Sequence, residues 1–325
     1  MCLDYYEATG FGMGTIIEQK VAVSSSAEGA YICHNISALM KRLEQEMSYF
    51  IPESSISRLN ASNGKSTVKI DTDTLRVLGA ARRYHDLSNG AFAVTAAPLT
   101  TLWRECIKTQ AVPSDEAIQA LLPFVSGSGP AIDEVSCSAR INRHQSVELG
   151  GIGKGYAADM ALGAYRAHGV TSAMINLGGN VHTLGEKTNG RPWMIGVQDP
   201  RKPRGNCIAA LAVSDKSVVT SGDYEKYFES KDKKFHHIID PRTGYPADTG
   251  LMSVTIIADS SMEADALSTA VFVSGLQRGM ALIEQVSDAE GVLITENKMV
   301  YITKGLHDCF ISSRDIKDYT FSFYN

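Results

Sequence analysis

The sequence predicts a mixed α+β fold, with partly antiparallel sheets and packed helices. Three observations carry this expectation. Strand-like runs and runs of helical period interleave along the 325 residues. Several successive strand-like runs are joined by turns far too short for the crossover that parallel neighbours need, as in MINLGGNVHTLG and GVLITENKMVYIT. Hydrophobic content of 44% and charged content of 21% are ordinary for a folded chain and leave no role for disorder. The length allows one large unit or two intimately packed lobes, divided near residues 1–130 and 131–325.

Taken in order, GTIIEQKVAV alternates as a strand within residues 11–32, and a second strand is expected over Ala30–Cys33. Residues 35–48 place Ile36, Leu39, Met40, Leu43 and Met47 at helical spacing. SSISRLNASNG is rich in turn formers and is expected to be a polar loop. Asp71 or Asp73 can cap a helix that turns Leu75, Leu78, Tyr84 and Leu87 inward and ends at Asn89-Gly90. Pro113-Ser114-Asp115-Glu116 starts another helix, and PFVSGSGP is a loop. Residues 145–148 are expected to form a strand entering GGIGKG, followed by a helix over 154–168 that stops at Gly169. After the strand SVTIIA come helices from Glu263 to Ser274 and from Leu276 to about Ser287. A hairpin across Asn297-Lys298 follows them.

Charge and composition exclude several functions. A net charge of −5 with no basic stripe argues against a nucleic-acid partner. No apolar run approaches the roughly 20 residues of a membrane span. The six cysteines are scattered without a C-x-x-C pair, so neither a metal cluster nor a disulfide framework is expected. MCLDYYEATG has no charged and apolar leader pattern, which predicts a cytoplasmic protein. Cys2 keeps open a periplasmic lipoprotein, should residues be missing upstream.

Three stretches can carry chemistry. In VELGGIGKGYAAD a strand-like run empties into closely spaced glycines, a lysine and a helix start, a pattern that brings backbone N–H groups and Lys154 towards an anion. It is neither a Walker A loop nor a dinucleotide fingerprint, and a tight connection with a solvated lysine is the alternative. In EADALSTAVF, Asp265 and Thr269 lie four apart and share a helix face. Their hard oxygens suit Mg²⁺, although an exposed acid and a helix-interior threonine would read the same way. In HHIIDPRTGYP two adjacent histidines on a strand point to opposite faces, so one imidazole at most enters a given pocket. Asp240 could orient that imidazole or hold the Arg242 turn, and Ser221-Gly222 offers a hydroxyl and a backbone nest for phosphate.

Together with GMGT near residue 13, SYFIPESSISRLN, GAFAVTAAPLTTLW, INLGGN and VTSGDYEKYF, these stretches resemble the ApbE family of FAD:protein FMN transferases over about residues 11–310. The resemblance implies an ApbE-like, T-fold-like architecture. It also implies an enzyme that binds FAD and Mg²⁺ and moves the FMN half of FAD onto a threonine or serine hydroxyl of an acceptor flavoprotein, releasing AMP. Residue by residue, it implies that Met13, Phe50, Ala91, Phe92, Ala93, Glu148, Lys154 and, through its main chain, Ile239 contact FAD. Gly151, Asp265 and Thr269 would hold the metal, and His237 would be the catalytic histidine. Three positions depart from the family pattern: Ala93 stands where an aspartate is usual, Phe50 where tyrosine is frequent, and Glu148 where aspartate is usual. FAD hydrolysis to FMN and AMP, or flavin binding without turnover, are the alternatives. The chain has no acceptor segment of its own of the D-x-x-[ST]-G-A-[ST] type.

Overall fold

A nine-stranded sheet organises the chain, and its strands lie side by side in the order in which they occur in the sequence. The structure is a computed structural model. It describes residues 3–125, 127, 129–231, 233–313 and 316–324; Cys2 and parts of the 123–130 loop lie outside the described residues. The strands are Asp4–Gly12, Thr15–Val23, Ala173–Leu177, Asn180–Leu184, Ser217–Gly222, Leu251–Ala258, Glu290–Thr295, Met299–Thr303 and Thr320–Tyr324. All neighbours run antiparallel except the last pair.

Strand alternation sorts the side chains onto two faces. Ile17, Val21, Leu177, Val219, Val254 and Ile256 join one core, shared with the helices Ser26–Met47, Thr72–Leu87, Gly153–Ala167 and Ser261–Ser274. Val218, Ile257, Val292 and Ile294 face the other way and pack against a three-stranded sheet of Trp193–Gln198, Cys207–Val213 and Phe310–Ser312. Leu251–Ala258 is buried along its whole length, which explains why SVTIIA reads as a continuous apolar run rather than an alternating one. A third cluster gathers Trp103, Phe228 and Ile239 under the 97–109 helix.

Most predicted elements are present, including the Ser261–Ser274 and Leu276–Glu284 helices and the hairpin at 297–298. Four expectations need correction. Ala30–Cys33 is helical. Ser25 caps the Glu28 N–H while the Glu28 carboxylate accepts the Ser24 N–H, so a reciprocal cap starts the helix there. Ile32 and Cys33 then continue the apolar stripe of Ile36 and Met40. The expected polar loop contains the helix Ser55–Ala61, in which Ser54 is the cap and Ile56 and Leu59 are buried. Residues 145–148 are extended but join no ladder. The Val147 backbone is satisfied by both ends of the Asn60 amide, and the Glu148 N–H donates to Val94 O. Asp71 occupies the cap position of Thr72–Leu87, yet its carboxylate accepts from Ser55 Oγ instead of capping.

Candidate active site

One end of the large sheet collects the glycine-rich turns. Gly12 pairs with Thr15 across a two-residue turn in which Met13 and Gly14 have φ of 54° and 70°. A positive φ is uncommon for a methionine and marks Met13 as a position held by its surroundings. Any side chain on Gly178 would collide with Thr15, so the GMGT tip and the LGGN turn are packed together. Asn180 pairs with Val219, and two residues further on Ser221 reaches the same end.

Two helices meet there, each capped by a carboxylate from the other. Asp159, on Gly153–Ala167, accepts the N–H groups of Ser261 (2.6 Å) and Met262 (3.0 Å) and the Ser260 hydroxyl, at the N-terminus of Ser261–Ser274. Ile152, at the cap of Gly153–Ala167, has no side-chain acceptor, and Asp265 Oδ2 takes the Gly155 N–H at 2.9 Å in its place. The approach is close because Gly155 has no side chain; a Cβ would strike the Ser261 carbonyl.

Asp265 is thereby fixed beside the glycine loop at 3% exposure. Lys154 Nζ lies 3.8 Å from Asp265 Oδ1 and donates to the Gly150 carbonyl at 3.1 Å. A Cβ on Gly151 would come within 3.4 Å of Thr269 Oγ1 and 3.2 Å of the Phe92 ring, so all three residues pack at one point. Ser221 Oγ lies 2.8 Å from Ser268 Oγ and 3.4 Å from Thr269 Oγ1. The donor set is therefore one carboxylate, hydroxyls and backbone. No group of three or more His, Cys, Asp or Glu among the described residues could hold a metal. These oxygens fit a hard cation such as Mg²⁺, which commonly takes one or two carboxylates and completes its shell with water and substrate phosphate. Asp265, Thr269 and Gly151 are the residues that would hold it.

The strand Lys233–His236 ends at the first histidine, and His237 lies in the bend after it, so the two differ in environment without sharing a strand. His236 is buried. Its Nε2 faces the Ala247 carbonyl at 3.0 Å, its Nδ1 accepts the Ile238 N–H, and burial lowers its pKa. It is a fastening of the turn. His237 keeps part of its surface exposed, yet protein surrounds it closely. That enclosure, aided by His236, Lys226 and Lys154, brings its pKa from 6.5 down to about 4. Asp240 uses both oxygens on Arg242, at 2.8 Å each, so it holds the turn. Ile239 is buried and bridges Pro246. The flanking bonds, Ala247 N–H to Ile238 O and Asp240 N–H to Tyr245 O, leave its own N–H and C=O directed away from that partner.

The remaining predicted positions form a neighbouring wall. Glu148 accepts from Arg104 at 2.6 Å and Thr100 at 2.8 Å, and Phe50, 67% exposed, lies 4.9 Å from the Arg104 guanidinium. Ala91 and Phe92 are buried, and Ala93 is half-buried. Arg104, Thr100, Asp159 and Ser268 were not anticipated. Thr100 and Arg104 are four apart on one helix and so share a face, the one signal that could have paired them with an acid.

Fold and site together define a class: a large, mostly antiparallel sheet whose glycine-rich end lies beside a carboxylate, hydroxyls and a lysine. The chain belongs to the ApbE family, whose model matches residues 13–293. A protein of Klebsiella pneumoniae (strain 342) named FAD:protein FMN transferase is 35% identical over 266 residues, 82% of either chain. Among solved structures, the ApbE protein of Thermotoga maritima matches with a TM-score of 0.81 at 33% identity, over 90% of this chain and 95% of that one. The flavin transferase ApbE of Vibrio cholerae matches with a TM-score of 0.80 at 26% identity, over 98% and 100%.

Proposed function

We propose that the protein transfers the FMN half of FAD to a serine or threonine hydroxyl of an acceptor flavoprotein, with Mg²⁺, releasing AMP. The observations that carry this reading are the approach of Gly151 to Thr269 and of Lys154 to Asp265, one helical turn before Thr269, in a chain whose relatives are named FAD:protein FMN transferase.

A bound Mg²⁺ supplies charge neutralisation at the diphosphate. Lys154 adds a second positive charge at the glycine loop, and the Met13 turn, Phe50 and the Ile239 main chain orient the flavin dinucleotide. The acceptor oxygen forms a bond to the FMN phosphorus. The phosphorus–oxygen bond to AMP breaks, and AMP leaves with the bonding pair. The hydroxyl proton passes to His237, which is neutral at physiological pH because its pKa is held near 4. Positioning and electrostatics supply most of the rate in such transfers. Water can replace the hydroxyl when no acceptor is docked, giving slow hydrolysis of FAD to FMN and AMP.

The test is incubation with FAD and Mg²⁺, with and without a candidate acceptor. Transfer predicts AMP release that accelerates with acceptor, together with an acceptor heavier by one FMN unit. Equal AMP release in both tubes with an unchanged acceptor mass contradicts it.

A further inference from the structure

We infer that Ser221 is a positioning residue that aims the Thr269 hydroxyl, turning its lone pairs rather than its proton towards the cation. The inference rests on the reading of Thr269 as a metal ligand.

It follows from counting protons. A hydroxyl has one proton to give and two lone pairs to receive. Ser268, fully buried, lies with Oγ 2.9 Å from the Asp265 carbonyl, a group that only accepts, so the Ser268 proton goes there. Ser268 Oγ must then accept across its 2.8 Å contact with Ser221 Oγ, which uses the Ser221 proton. Towards Thr269 Oγ1, at 3.4 Å, Ser221 is left only as an acceptor. The chain of donors thus runs Thr269, Ser221, Ser268, Asp265 carbonyl, and it ends on the backbone of the helix that bears the acid. A cation needs the oxygen lone pairs of Thr269, and a hydroxyl whose proton already has an acceptor behind it presents them without rearrangement. Ser221 can do this because Val219 and Ser221 share the strand face that packs on Ser261–Ser274. The 3.4 Å link is longer than an ordinary O–H···O bond, so its loss should weaken binding rather than abolish it. Outer-shell partners of metal ligands act in this way in general.

The test is Mn²⁺ affinity, read as the spin signal of free Mn²⁺, in the wild type and in Ser221→Ala, Ser221→Thr, Thr269→Ala and the Ser221→Ala/Thr269→Ala double variant. Thermal denaturation of each reports folding. The expectation is an affinity loss of about tenfold in Ser221→Ala and near-wild-type affinity in Ser221→Thr, which keeps the hydroxyl. Ser221→Ala should have no added effect once Thr269 is gone. FAD binding in chelator should be the same in Ser221→Ala as in the wild type. If Thr269→Ala leaves Mn²⁺ affinity intact, Thr269 is not a ligand and both readings fall. If Thr269→Ala weakens binding and Ser221→Ala does not, the inference alone is overturned. Weaker FAD binding by Ser221→Ala in chelator makes Ser221 a phosphate contact and overturns it as well.

Discussion

Asp265 Oδ2 accepts the backbone N–H of Gly155 at 2.9 Å, so a carboxylate on one helix caps another. Its second oxygen faces Lys154 and the glycine loop. Capping and cation binding can be separated, because an amide oxygen still accepts the N–H but carries no charge. Asp265→Asn should keep thermal stability near wild type while losing Mn²⁺ binding and AMP release. Asp265→Ala should lose both and be destabilised by about 1–2 kcal/mol, the scale of a lost cap. Wild-type turnover in Asp265→Asn would remove the residue from the metal shell.

Gly155 sets the distance between the two helices. A methyl group there meets the Ser261 carbonyl, and backbone cannot step aside as a flexible side chain would. Gly155→Ala should cost about 1–3 kcal/mol by overpacking. It should also weaken Mn²⁺ affinity by moving Asp265 relative to the loop. Gly163→Ala, on the same helix with open space around it, should leave both unchanged. Denaturant titration and the spin assay decide this together.

The histidines make stability depend on pH in a definite direction. His237 has a folded pKa near 4 against an ordinary 6.5, and that of His236 is also lowered. Between those values the unfolded chain takes up protons that the folded chain does not, so stability falls as pH drops from about 6.5 to about 4. His237→Gln should flatten the upper part of that decline, where carboxylates do not yet titrate. If His237 is the base, the acid limb of kcat/KM should lie well below pH 6.5, and a limb at the ordinary histidine value would contradict its lowered pKa.

Arg104 links Glu148 to Phe50. Arg104→Ala should weaken FAD binding about tenfold, the scale of one charge-assisted hydrogen bond of about 1.5 kcal/mol. It should leave Mn²⁺ affinity unchanged, the converse of Asp265→Asn. Fluorescence quenching of free FAD measures the first.

What was legible beforehand was what local pattern encodes. The four-residue spacing of Asp265 and Thr269 shows on any helix, and the glycines and Lys154 mark a strand-to-helix connection. The same rules failed where one residue type has two uses. The serines of SSISRLN suggest a loop, yet Ser54 caps a helix, and Ala30–Cys33 suits a strand or a buried helix face equally well. Nothing local announces a pairing across a long separation. Asp159 reaches Ser261 over 102 positions, and Arg104 reaches Glu148 over 44. These contacts bring the site together, and they exist only once the sheet has assembled. His237 stood out through the family resemblance; its distinction from His236 became physical only with the Ala247 and Ile238 bonds to the latter.

The most direct measurement is the anomalous scattering of Mn²⁺ in crystals grown with the metal and FAD. A peak bonded to Asp265 and Thr269 at about 2.0–2.2 Å, against the Gly151 carbonyl and the diphosphate with His237 facing phosphorus, is the predicted result. A cation bound elsewhere, with these oxygens unoccupied while FAD is in place, would contradict it.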